Sequence, residues 1–305
     1  MLANFLSKSK PINFIGLLIF FFIGLLYTVF YDGFTSEKLL KGSVLLLLFI
    51  AIFFFYNFIT GKNRLTLDHS YANFVFTLLI LSILSELTQY IILVKVIIYL
   101  LFLRKLYSLR SSKKFLEKMF DSGFWLGVLF ILEPLSLIFF LLIYSGSYLH
   151  NKITIHTLLS PIIGFITPLI IYFTYVFWFD STEEFIHLFN FDVNFNTGFY
   201  SETKYLWITG IVLFFSILAL FFKSIKALSV NNTFRKSWIL LLTNFIIAIL
   251  FTLSLTEKNG SELIYIVFPA SIILANGIEI IQKKIIKNSV LYLLLIGSII
   301  VHYLL

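Results

Sequence analysis

The sequence predicts an all-α fold, a polytopic membrane bundle of about 10–11 transmembrane helices that includes a short helical hairpin over residues 122–149. Three observations predict it. Of the 305 residues 60% are hydrophobic and the mean hydropathy is +0.99, whereas soluble domains have an apolar share nearer half. Apolar runs of roughly 16–20 residues recur along the whole length, which is the helix length needed to cross ~30 Å of hydrocarbon. The 23 lysines and arginines gather in particular short segments, as the positive-inside rule produces. Residues 1–305 therefore read as a single integral membrane domain. The net charge of +8 belongs to orientation in the membrane and gives no reason to expect a nucleic-acid partner. The chain has no cysteine, which excludes disulfides, thiol chemistry and Cys-based metal sites. Abundant Phe, Ile, Lys, Asn and Tyr, with Lys outnumbering Arg, suggest an AT-rich bacterial genome.

Lys8 and Lys10, with no acid among the first ten residues, place the N-terminus in the cytoplasm of a bacterium. The run Ile12–Phe30 is too long for a signal-peptide core and lacks a small-residue cleavage site, so it reads as an uncleaved first span. It exits into a loop carrying Asp32, Gly33, Glu37 and Lys38. Span two, Gly42–Ile59, returns to Lys62 and Arg64. Spans three and four, Tyr71–Ser85 and Thr88–Leu103, form a hairpin with Glu86 at its tip. Both are short, so they should tilt little or sit where the bilayer is thinned. A basic run from Arg104 to Lys118 follows. Within it Ser112 can cap a short helix to Phe120, whose apolar face suits the cytoplasmic interface.

The next segment decides the topology. If Gly123–Tyr144 crossed once, the acidic loop Asp180–Lys204 would lie inside, and Lys223, Lys226, Arg235 and Lys236 would lie outside. That violates the positive-inside rule. Two short helices turning near Glu133-Pro134 remove the violation, because proline lacks an N–H and breaks the helix there. Beyond the hairpin the pattern is regular: Pro161–Trp178, Leu206–Phe222, Trp238–Leu253, Leu263–Ile281 and Ser289–Tyr303 alternate in direction. Trp125, Trp178, Trp207 and Trp238 all fall at predicted span ends, as an aromatic belt does.

Candidate chemistry is sparse. Asp32 follows span one on the expected outer face, where a carboxylate at the edge of the apolar zone can have its pKa raised and serve as a general base. It could equally be a solvated loop acid. Lys95 lies roughly 13 Å along its helix from Arg104, near mid-membrane, where an ionisable group faces a polar cavity or a partner. Glu86 or Glu133 could be that partner. The break at Glu133-Pro134 is a pointer to a binding site, since irregular backbone inside a membrane lines cavities. Lys38, Lys41 and Lys204 are the cations available on the outer side to stabilise a leaving phosphate. Gly123 and Gly127 have the spacing of close helix packing. Glu279 stands one turn from Lys283 and His69 beside Asp68, so local pairs are expected. Ser181 to Glu184 form a capping-box pattern before an apolar face of Phe185, Ile186 and Phe189. The five histidines show no metal-ligand spacing, no metal site is expected, and no cofactor motif is present.

Two resemblances bear on these residues. Asn63-Arg64-Leu65-Thr66, Leu103-Arg104-Lys105-Leu106-Tyr107-Ser108-Leu109-Arg110 and Phe120-Asp121-Ser122-Gly123-Phe124-Trp125 resemble an uncharacterised family of polytopic inner-membrane proteins of Bacteroidota. That resemblance carries no activity. A looser one is to the C-type glycosyltransferases that use polyprenyl-linked sugars. Those enzymes place an essential acid in the first outer loop, where Asp32 stands, and follow a cytoplasmic amphipathic stretch with a Gly-rich short hairpin. The chain is short for them, has no large outer domain and lacks a second acidic motif. On this basis the first functional expectation is a bacterial inner-membrane protein, of the cell envelope, that binds a lipid-linked saccharide at the outer leaflet. The C-type likeness implies a small glycosyltransferase-like enzyme with a polyprenyl-phosphate sugar as its lipid partner. Asp32 would be the base, with Glu86, Lys95, Glu133 and Lys38 binding substrate. The alternatives are a non-enzymatic subunit of an envelope or secretion assembly, with membrane-protein partners, and a small transporter. The sequence leaves open whether any reaction is catalysed.

Overall fold

A computed structural model describes residues 2–229 and 232–304, and every regular element in them is helical. In chain order the helices are α1 (Leu2–Leu6), α2 (Pro11–Phe30), α3 (Ser36–Lys62), α4 (Tyr71–Ser82), α5 (Tyr90–Tyr107), α6 (Phe115–Leu132), α7 (Phe140–Leu149), α8 (Ile155–Trp178), α9 (Thr182–His187), α10 (Thr203–Ser229), α11 (Asn232–Ser254), α12 (Ile264–Ile280) and α13 (Lys284–Leu304). Among the described residues seven helical segments are long and apolar enough to cross a membrane, and Tyr71–Ser82 and Pro134–Leu149 are shorter apolar helices. The remaining predicted crossings are α5 and α6, which carry Lys95, Arg104, Glu117 and Lys118 within or beside their apolar stretches. The chain is a polytopic helical membrane protein.

The helices form two compact units. The first comprises Met1–Leu93, Thr197–Asn231 and Lys258–Leu305. Its centre is the pair α4 and α12. Every residue of α4 is buried, as are most of α12, which fits helices that are apolar all round. The shortness of α4 is thus the shortness of an interior helix. Hydrocarbon outside a bundle is as apolar as the side chains within it, so packing and hydrogen bonds must hold such helices together. Tyr56 of α3 supplies both: its ring stacks on Phe76 at 3.7 Å and its hydroxyl meets Ser271 Oγ at 2.7 Å and donates to the Ala72 carbonyl. α2, α10 and α13 complete the unit around this centre. Asn13 ties α2 to the preceding turn through the carbonyls of Phe5 and Lys8.

The second unit comprises Val94–Asn196 and Asn232–Glu257. It contains the hairpin, which turns where the sequence breaks. Glu133 adopts an extended conformation (φ −152°, ψ 90°), and a 3-10 turn over Pro134–Phe139 leads into α7. The first arm is longer than expected. No separate interfacial helix ends at Phe120: α6 runs unbroken from Phe115, and Ser112 makes no cap, because Lys114 (φ 54°) holds the N-cap position. Nothing between Phe120 and Gly123 breaks a helix, and Asp121 is anchored to Lys105 at 2.5 Å. α6 lies against α8 in backbone contact. A Cβ on Gly123 would run into the Pro161 carbonyl, one on Gly127 into the Phe165 carbonyl, and one on Gly164 into the Phe120 carbonyl. The Gly123/Gly127 spacing is a packing device, as its chemistry suggested.

Two smaller expectations fail. Trp178 ends α8 and is 81% exposed, as a belt residue is, but Trp238 is buried within α11. It lies nearly two turns into α11, a depth that position in sequence alone could not distinguish from an interface. The side chain of Trp207, like that of Lys226, lies outside the described residues. Ser181 makes no side-chain cap on α9, although Phe185 and Phe189 do form an apolar face, with Phe185 against Phe173 at 5.0 Å and Phe189 against Phe130 at 5.8 Å.

Candidate functional site

Charged side chains in the apolar part of such a chain are few, and the structure gathers them into small groups. The fullest group lies in the first unit, where the 3-10 turn Leu84–Leu87 meets the start of α10 and the turn before α12. Glu86 is its hub. One carboxylate oxygen accepts from Lys204 Nζ at 2.8 Å and from the Tyr205 hydroxyl at 3.0 Å; the other accepts from Ser85 Oγ at 2.8 Å. Lys204 also donates to Ser85 Oγ at 2.9 Å. Gly260, at φ 88°, brings its backbone against Tyr205 and Glu86, and a Cβ there would sit 2.5 Å from the Tyr205 ring. Any other residue would be strained in both φ and space. Beside it the Tyr200 hydroxyl donates to Glu262 at 2.5 Å, and the Asn259 N–H reaches the other Glu262 oxygen. Phe199 lies over the Tyr205 ring at 4.5 Å.

The electrostatics follow from that geometry. Burial raises the cost of the Glu86 charge, but hydrogen bonds from Lys204 and Ser85, with the lysine's charge, hold its carboxyl below the usual range. Burial, then the neighbouring Glu262, push the Tyr200 hydroxyl well above the usual phenol range, so it remains a donor. The Glu86 shift has a consequence for stability. A carboxyl whose folded pKa lies below its unfolded value of ~4.3 stabilises the fold fully above that pH and loses the contribution as pH falls through the folded value. Glu86→Gln should therefore flatten the acid limb of the melting-temperature profile below about pH 4.5. An unchanged acid limb would show that the pairing carries no folding free energy.

Lys95 and Glu133, both in the second unit, meet: Lys95 Nζ is 2.9 Å from Glu133 Oε2, with 23% and 22% of the side chains exposed. Of the two partners open to Lys95, the one at the helix break holds it, while Glu86 is taken by Lys204. Asp32 stands apart, its side chain 82% exposed and 4.0 Å from Lys38 Nζ. Lys38 in turn donates to the Gly33 carbonyl at 3.2 Å.

A third group lies at the other end of the first unit. Glu279 does not pair with Lys283. It takes Lys223 of α10 at 2.9 Å and faces His69 Nε2 at 3.6 Å. The interior of a three-helix contact offers it a better partner than an exposed lysine one turn along its own helix. His69 accordingly faces Glu279 and the Tyr71 ring rather than Asp68. Sequence reasoning missed Tyr200, Tyr205 and Glu262 entirely. The available signal was an acid at the mouth of an apolar helix, Ser261-Glu262-Leu263, where a charge needs a nearby partner. Among the described residues no group of three or more His, Asp or Glu could hold a metal ion.

The chain belongs to a family of unknown function, DUF6427, whose family model matches residues 1–305. No curated protein and no solved structure matches it.

Proposed function

We propose that this membrane protein binds the headgroup of a lipid-linked saccharide at the end of the first unit that carries Glu86, Lys204 and Glu262. The observation that supports the reading is that cluster: two carboxylates, a lysine and two tyrosine hydroxyls collected at one end of apolar helices, against a glycine that lets backbone approach closely. Sugar hydroxyls both donate and accept, so a network of this composition can exchange its internal bonds for bonds to a saccharide. Lys204 and Lys38 supply charge for a phosphate, and the paired rings of Phe199 and Tyr205 offer an apolar face to a pyranose. The opposite end of the first unit bears Lys8, Lys10, Lys62, Arg64, Lys283, Lys284 and Lys287, which by the positive-inside rule faces the cytoplasm of the bacterial inner membrane. The cluster then faces outward. Asp32, exposed on that same side, is the base of the enzymatic form of the proposal.

The test is binding of polyprenyl-phosphate sugars to the purified full chain in lipid nanodiscs. Tyr205→Phe, which keeps the ring and removes the hydroxyl, should weaken donor binding by roughly ten- to a hundredfold, as loss of one hydrogen bond to a charged group costs ~1.5–3 kcal/mol. Asp32→Asn should spare donor binding and abolish any transfer. Failure of every polyprenyl donor to bind the wild type would discard the proposal. A second reading, a non-enzymatic subunit of an envelope assembly, draws on the mutual pairing of Glu86 with Lys204, Lys95 with Glu133 and Glu279 with Lys223. Such satisfied pairs suit packing, and a stable partner co-purifying from native membranes would favour it.

A further inference from the structure

The first unit also contains a long apolar crevice. It runs between α10 and α13 over a floor of α12 and α4, in two stretches of about 570 and 730 Å³ that share Ser289, Leu293 and Leu294. Each is of the size of a small-molecule site, ~300–1,000 Å³. The lining is almost wholly apolar, from Phe222 and Ile281 at one end to Ile208 and Val301 at the other. Along α13 it extends from Ile285 to Val301, which at 1.5 Å per residue is about 24 Å. A trough of that shape within a bilayer is filled by a hydrocarbon chain, since an apolar cavity holds no water.

What else lies at the mouth decides which chain. Ile281, Ile285 and Ile286 form the Phe222 end, and Lys283 and Lys284 lie between Ile281 and Ile285 in the chain. Both lysines are exposed and make no ion pair among the described residues. Lys287 is one turn further along, bonded to the Glu279 carbonyl. Glu279 itself is neutralised by Lys223, so the mouth carries a net positive charge. Basic pockets between transmembrane helices recruit anionic headgroups.

We infer that the α10–α13 crevice holds an acyl chain of an anionic glycerophospholipid whose phosphate rests on Lys283 and Lys284. The lysine mouth is at the opposite end of the unit from the proposed saccharide site, and the inference does not rest on that site. A zwitterionic lipid fills the trough equally well but gains nothing from the two lysines, so headgroup charge sets the preference.

Delipidated full-length protein titrated with fluorescent phosphatidylglycerol and phosphatidylcholine tests this. The wild type should prefer phosphatidylglycerol at least tenfold, and the preference should fall as salt rises. Lys283→Gln with Lys284→Gln should bring phosphatidylglycerol down to the phosphatidylcholine level, while the arginine pair at the same positions keeps the preference. Ser289→Trp, which projects a ring into the stretch common to both halves, should weaken both lipids without lowering the melting temperature. Equal binding of the two lipids by the wild type overturns the inference. So does unaltered binding by Ser289→Trp. Displacement of phosphatidylglycerol by polyprenyl phosphate at lower concentration also overturns it, by assigning the trough to an isoprenoid chain.

Discussion

Gly164→Leu should dismantle the second unit. The glycine has no Cβ where α8 crosses α6, and the nearest atom to a new side chain is the Phe120 backbone carbonyl, not a side chain that could rotate away. Only separation of the helices relieves the clash. Overpacking of cores costs ~1–3 kcal/mol when side chains can adjust; with backbone on both sides the loss should reach or exceed the top of that range. Without a hydrophobic force between helices in lipid, the close approach is itself the stabilisation. The expected result is aggregation or loss of the cooperative melt in detergent, with Gly123→Leu and Gly127→Leu behaving alike. Gly16→Ala is the control: nothing lies within 4 Å of its position in α2, and alanine there should be neutral or stabilising by up to ~1 kcal/mol. A wild-type melt for Gly164→Leu would mean that α6 and α8 do not touch.

Lys95→Met should destabilise the second unit. The pair with Glu133 is about four-fifths buried on each side, between the surface case of ~0–1 kcal/mol and the fully buried case of ~3–5 kcal/mol for removing one partner. A loss of about 2 kcal/mol is expected. Adding Glu133→Gln should return at least half of it, because the stranded carboxylate is gone. Adding Glu86→Gln should not, since Glu86 is engaged by Lys204 and Ser85; that double variant should melt lower than either single one. Rescue by Glu86→Gln instead of Glu133→Gln would contradict the pairing.

These two sites also show what the sequence could and could not reveal. Apolar run lengths and basic clusters were enough for the class of fold and for the hairpin, because a proline after Glu133 forces a break that only one topology accommodates. The Gly123/Gly127 spacing named a packing helix but not its partner, for Gly164 lies on a different helix and its register is a tertiary fact. Lys95 demanded a partner by its depth alone. Choosing between Glu86 and Glu133 required knowing that Lys204, 118 residues from Glu86, returns to claim the former. A separation of 62 residues hid the Tyr200–Glu262 contact in the same way. Glu279 misled for the opposite reason: a lysine four residues away satisfied the local rule, while Lys223 on another helix satisfied the energetics.

The proposed saccharide site requires the Glu86–Lys204 end of the first unit to face outward, across α2 from the basic N-terminus. The chain has no cysteine of its own, so single cysteines report cleanly. Ser9→Cys and Ser36→Cys flank α2 at exposed positions. In intact cells an impermeant maleimide should label Ser36→Cys and leave Ser9→Cys untouched until the membrane is opened. Labelling of Ser9→Cys in intact cells, with Ser36→Cys protected, would invert the bundle and place the cluster in the cytoplasm, where no outer-leaflet saccharide could reach it.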